Sequence, residues 1–148
     1  MITKANSCSP EETYRVGEKI GSALKGREII LLSGELGAGK TLLTKGIAAA
    51  IGIDPGEIVS PTFTIMNCFE GKYFLYHIDL YRLGENLKRM TDGLPEIDDN
   101  IDEGVIVIEW AQYLPGLYFQ LKNSVKVDIK VIEENTREIS VQPGRAFY

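Results

Sequence analysis

Eight consecutive residues carry the strongest chemical signal in the chain. Gly34-Glu35-Leu36-Gly37-Ala38-Gly39-Lys40-Thr41 fits the pattern G-x-x-x-x-G-K-[ST] throughout. Glycines let a backbone curl until successive N–H groups converge on phosphate oxygens, and the start of a following helix adds partial positive charge. In such a cradle Leu36, Gly37, Ala38 and Gly39 supply backbone, Lys40 reaches the β and γ phosphates, and the Thr41 hydroxyl ligates Mg²⁺. A chance match in a chain of this size has odds on the order of one in a hundred. With 15 glycines present, a plain glycine turn is the alternative, but the flanking pattern of buried strand and helix is the one that phosphate binding requires.

A site of this kind needs an acid at the end of a neighbouring strand to hold Mg²⁺. Glu109 closes the apolar run Val105 to Ile108 and takes that role here; the plainer alternative is a carboxylate facing solvent at a strand end. The loop Ser60-Pro61-Thr62-Phe63-Thr64 groups hydroxyls around a proline just beyond the phosphate-loop helix, so Thr62 is a candidate for reaching the metal or the attacking water. Its alternative is an ordinary turn. Asp79 interrupts a strand where an acid fits poorly without a task or a partner; pairing with Arg82 is the competing account. His77 on the same strand reads as a satisfied packing histidine, with a catalyst as the alternative, and Trp110 as either a core aromatic or a surface that partners cover.

The elements that must position these residues follow from hydrophobic spacing. Ser9-Pro10-Glu11-Glu12 starts a helix, with Ser9 as cap, Pro10 in the first turn and Glu12 reaching back to the cap's amide. Its apolar face runs through Val16, Ile20, Ala23 and Leu24, and Gly26 stops it. Glu28 to Ser33 is a strand buried on both faces, and Lys40 to Ile51 a second helix ended at Gly52. Thr64 to Glu70 and Tyr73 to Leu80 form a hairpin around Gly71-Lys72. The polar stretch Gly84 to Gly104 is a short helix and an exposed loop. Ser124 to Ile132 and Arg137 to Val141 make an antiparallel pair at a sheet edge. The expected class is α/β: a single P-loop NTPase-like domain over residues 1–148, with a mixed, mainly parallel sheet flanked by helices and one antiparallel edge.

Composition sets the outer limits. The chain has 148 residues, 44% hydrophobic and 25% charged, with a net charge of −5. A globular domain of this size buries roughly 70% of its unfolded surface, so disorder, collagen-like repeats and a disulfide scaffold are excluded. The acidic balance argues against unaided nucleic-acid binding, which calls for a basic face. Cys8 and Cys68 are read as free thiols. Met1 to Ser9 lack the apolar core of a signal peptide, and no apolar run nears the ~20 residues that span a bilayer; the expected location is cytoplasmic, with no membrane contact.

Together these motifs resemble the TsaE (YjeE) family, small bacterial ATPases of tRNA threonylcarbamoyladenosine synthesis. The resemblance rests on G-E-L-G-A-G-K-T at 34–41, S-P-T-F-T at 60–64, Y-H-I-D-L-Y-R-L at 76–83 and V-I-E-W at 107–110, and covers the chain from about Ser9 to Arg137. It implies an ATPase with ATP and Mg²⁺ as cofactors, weak alone and stimulated by TsaD-like and TsaB-like partners, two actin-fold-like proteins that perform the carbamoyl transfer to adenosine 37 of tRNAs reading codons that begin with A. The tRNA is met only through that complex, and ATP hydrolysis resets it between turnovers. The resemblance further implies that Lys40 and Thr41 bind phosphate and metal, that Glu109 contributes to the Mg²⁺ site, and that Asp79 and Thr62 orient the attacking water. It puts Trp110 near the nucleotide, and Pro10 and Arg137 beside the adenine and ribose. Many relatives carry a second hydroxyl where this chain has Leu42, which leaves Thr41 alone to ligate metal, and Gly84 to Gly104 matches only loosely. The rival readings are a small-molecule kinase and a nucleotide sensor that hydrolyses nothing.

Overall fold

Strands buried on both faces read as apolar runs with no polar side, and two such runs form the centre of the molecule. The computed structural model describes residues 3–59, 66–84, 95–98, 100, 103–114, 116–121 and 123–143. In it β2 (Ile29–Gly34) and β5 (Val105–Glu109) pair in parallel, with Leu32 opposite Glu109. β6 (Ser124–Glu133) runs parallel on the far side of β2, and β4 (Phe74–Asp79) parallel on the far side of β5. Antiparallel strands finish both margins: β3 (Met66–Glu70) on β4, then β7 (Thr136–Pro143) on β6 and β1 (Thr3–Ser7) on β7. The sheet order is β1-β7-β6-β2-β5-β4-β3.

The expected α/β class with a mixed sheet is what the chain adopts, and the hairpin expected around Gly71-Lys72 forms as β3 and β4. One strand is added: β1 covers the C-terminal hairpin by pairing with β7. That strand escaped the sequence reading because Thr-Lys-Ala-Asn-Ser has no apolar alternation; backbone pairing with β7 holds it, and only Ser7 is buried, its hydroxyl 2.7 Å from that of Thr13.

Alternation along the strands separates two cores. Ile30, Leu32, Val105 and Val107 pack beneath α1 (Pro10–Ser22) and α2 (Lys40–Ala50). Ile29, Leu31, Ile106 and Ile108 pack beneath short turns: α3 (Pro95–Asp98) and the 3₁₀ segments Ala111–Tyr113 and Gly116–Gln120. Among the described residues, long helices cover one face only. None is long and apolar enough to cross a membrane.

The two helices approach closely through glycine. A Cβ on Gly17 would lie 2.1 Å from the Leu43 carbonyl oxygen, and one on Gly46 2.1 Å from that of Tyr14. Neither clash involves a movable side-chain tip, so Gly46→Ala forces the backbones apart and is expected to cost about 1–3 kcal/mol of stability, read as a lower denaturant midpoint. A midpoint unchanged from wild type would contradict this packing.

Local ends follow polar chemistry. Ser9 Oγ accepts from the Glu12 amide as expected, but the Glu12 carboxylate accepts from the Cys8 amide, one residue before the cap. α1 stops at Ser22, short of Gly26, because the buried Glu28 carboxylate gathers the Lys25, Gly26 and Arg27 amides at 2.8–3.0 Å and closes the turn into β2. α2 ends where Gly52, at φ +83°, takes the left-handed conformation that favours glycine.

Candidate nucleotide and metal site

Open α/β sheets present ligands in the crevice beyond the carboxyl ends of their strands. Here β2 leads into the Gly34–Gly39 loop, and α2 starts at Lys40 with Gly39 at its N-cap, no side chain bonding there. Gly37 and Gly39 have φ of +79° and +110°, the conformations that turn the loop back on itself at little cost only for glycine. The result is an uncapped helix start next to a curled backbone, which attracts anions.

Strand register delivers the acids. Leu75, His77 and Asp79 pair with Val105, Val107 and Glu109. Period two then sends all six toward the helix side, Leu75, Val105 and Val107 into the core and the polar ones nearer the loop. Glu109 is 2% exposed, and among the described residues its carboxylate is held by two donors. The Thr41 hydroxyl donates at 2.9 Å to one oxygen and 3.1 Å to the other, and His77 Nε2 lies 2.5 Å from Oε2. Asp79 accepts from the Tyr81 amide at 2.9 Å; among the described residues it makes no ion pair with Arg82, so the competing account of that acid is not what the fold shows.

The Lys40 ammonium turns back onto the loop. It donates to the carbonyls of Gly34 at 2.9 Å and Glu35 at 2.8 Å and lies 4.0 Å from the centre of the Trp110 ring. Burial holds it below the ordinary lysine value, against the opposing pull of Glu109, Asp79 and Glu35. Burial likewise holds Asp79 above the ordinary carboxylate value; Glu109 adds to this, while the Tyr81 amide, His77 and Lys40 oppose it. Trp110 is half-buried at the margin of the second core, between Tyr81 and Tyr113, with ring centroids 4.9 and 5.5 Å away. Its φ of +62° makes it the one described non-glycine residue in the left-handed region, a strained backbone of the kind that gathers at functional sites.

Two adjoining hollows share Gly37, Gly39 and Leu42. One, of about 330 Å³, is lined by Leu36, Lys40, Thr41, Asp79, Glu109 and Trp110 among others. The second, of about 150 Å³, lies toward α1 and is lined by Ser9, Pro10, Thr13 and Arg137. The sequence candidates thus fall into two groups on either side of one loop. Ala38 is buried, and Arg137 does more than line a hollow: Nε donates to the Ala38 carbonyl at 3.2 Å and Nη2 to that of Gly37 at 3.3 Å, bracing the loop from outside. Thr62 lies outside the described residues.

Sequence reasoning missed two contacts. Gln112 Nε2 donates to the Gly34 carbonyl at 3.0 Å, the same oxygen that Lys40 uses, and nothing in its local sequence marks it. His77 is buried and hydrogen-bonded, as a satisfied packing histidine is, but its partner is Glu109; the signal for that partner is its i, i+2 relation to Asp79. As a donor set, the Thr41 hydroxyl with the Glu109 carboxylate and neighbouring Asp79 offers only hard oxygen, and few of them. That suits Mg²⁺, which keeps waters and takes its remaining ligands from substrate phosphates.

Fold and site define a class: an α/β protein whose glycine-rich loop joins a central parallel strand to a helix and faces an acid on the adjacent strand. The chain belongs to the TsaE family, since the family model described as threonylcarbamoyl adenosine biosynthesis protein TsaE matches residues 7–139. Proteins named tRNA threonylcarbamoyladenosine biosynthesis protein TsaE from Aquifex aeolicus and Treponema pallidum are each 36% identical to it, over 90% and 91% of this chain and 90% and 96% of theirs. The crystal structure of Bacillus subtilis YdiB aligns with 99% of this chain and 89% of its own, at a TM-score of 0.72 and 30% identity.

Proposed function

We propose that this protein binds ATP with Mg²⁺ at the Gly34–Thr41 loop and hydrolyses it in support of tRNA threonylcarbamoyladenosine formation at adenosine 37. It acts through TsaD-like and TsaB-like partners, which hold the tRNA. Family membership supports the biosynthetic role. The observation that carries the hydrolytic reading is the Thr41–Glu109 hydrogen bond at the mouth of the loop, with Asp79 beside it in register.

In this reading the loop amides and the α2 N-terminus bind the phosphates, and Lys40 exchanges the Gly34 and Glu35 carbonyls for a phosphate oxygen. The Gly34 carbonyl keeps Gln112 as a donor, which lowers the cost of that exchange. The Thr41 hydroxyl and Glu109 would hold Mg²⁺, which when bound neutralises charge developing on the β and γ phosphate oxygens. Asp79, and Thr62 by resemblance, orient the attacking water. Pro10 and Arg137 flank the base and ribose.

The raised value of Asp79 gives this role a pH signature. A carboxylate that reprotonates above its usual range loses its water-orienting charge early, so turnover falls as pH drops through that range. The stability sign is opposite. The folded state holds the Asp79 proton more tightly than the unfolded one, so stability falls as pH rises from the ordinary carboxylate value through the raised one. Asp79→Asn therefore melts at or above wild type at neutral pH, while turnover slows on the order of 100-fold. A variant that melts lower and turns over normally contradicts both statements.

The biosynthetic role is tested by reconstituting tRNA modification over many catalytic cycles. With the partners alone, modification is expected to stall after few turnovers and to continue once this protein and ATP are added. Equal multi-cycle yield without it overturns the proposal.

A further inference from the structure

We propose that His77 is a positioning residue for the metal-binding carboxylate, its Nε2–H fixing Glu109 so that the carboxylate edge shared with Thr41 is presented to Mg²⁺. This rests on the Mg²⁺ site proposed above. His77 is fully buried on β4, on the face where Leu75 and Val107 pack. An aliphatic side chain would be the cheaper occupant there, because a buried imidazole loses hydration that only a hydrogen bond restores. Nδ1 has no partner among the described residues. The ring's polar contact is with Glu109 Oε2, so the cost of burying it is offset at that carboxylate.

The geometry explains why one donor is not enough. The single Thr41 hydroxyl is shared between both Glu109 oxygens, and a metal ion drawing on its oxygen loosens that hold. His77 is the donor that need not move. It sits on a different strand from Glu109 and contacts it from the sheet side, while Thr41 approaches from the helix. Between them the carboxylate keeps one rotamer with or without metal. Partners of this kind behind a metal ligand set its orientation and basicity.

The protein has one histidine, so its ring signals need no assignment among rivals. In ¹H–¹⁵N spectra of the ligand-free wild type, the ring hydrogen is expected on Nε2; a hydrogen on Nδ1 with Nε2 bare would overturn the orientation claimed. The second arm titrates Mg²⁺ into protein plus ADP and reads ADP binding by calorimetry. His77→Leu is expected to raise the half-saturating Mg²⁺ on the order of 10- to 100-fold, and His77→Gln, whose amide nitrogen can replace Nε2, by no more than about threefold. ADP affinity without metal stays as in wild type for both. If His77→Leu does not fold, His77→Asn, whose amide is too short to reach Glu109, takes its place in the comparison with Gln. Leu or Asn variants with wild-type Mg²⁺ dependence overturn the positioning role. A wild type whose ADP binding ignores Mg²⁺ overturns the metal site itself and this inference with it, an outcome recognisable before any variant is made.

Discussion

Lys40→Ala is expected to reduce ATP turnover by about 10²–10³-fold, the loss typical of removing one preorganised charge-stabilising donor. The fold should survive. Among the described residues the ammonium contacts two carbonyls and an aromatic face; one of those carbonyls keeps the Gln112 amide, and Glu35 belongs to the loop. Because burial lowers the Lys40 value, the folded state holds that proton less tightly than the unfolded state. Wild-type stability therefore rises with pH between the lowered value and the ordinary one, and the variant lacks that rise. Phosphate release and alkaline melting curves read the two effects separately. A variant with wild-type turnover would remove Lys40 from the chemistry.

Glu109 is the second position of large effect, and comparing two substitutions separates its duties. Glu109→Ala takes the acceptor from both Thr41 and His77 and leaves a buried ring nitrogen without a partner, which costs about 1–3 kcal/mol. It also removes the leading charge that opposes the lowering of Lys40 and one that raises Asp79, so both values move down. Glu109→Gln keeps an acceptor oxygen but loses the charge. The expected result is loss of Mg²⁺-dependent turnover in both, with the stability loss confined to Ala. Full Mg²⁺-dependent hydrolysis in Glu109→Gln would take Glu109 out of the metal site.

What could be read in the sequence was whatever had a local cause. The glycine loop announces itself because the phosphate-loop pattern fixes four positions within eight consecutive residues. Glu109 stands out as one acid ending four apolar residues, and Asp79 as an acid in a strand that should not hold one. The cap at Ser9 and the stop at Gly52 are likewise local rules. What stayed hidden depends on register and crossing chains. His77 meets Glu109 only because β4 lies beside β5 with Asp79 opposite Glu109. Gln112 and Arg137 reach the loop from segments 78 and 100 residues away. The strand β1 has no periodic signal at all, and the layer of short turns over the second face has too few residues per element to show one.

The most direct test of the central claim is phosphate release from ATP as Mg²⁺ is varied, with and without the TsaD-like and TsaB-like partners and tRNA. The account predicts release that requires Mg²⁺, rises when the partners and tRNA are added, and disappears in Lys40→Ala. Release that ignores both Mg²⁺ and the partners, or persists undiminished in Lys40→Ala, would contradict it.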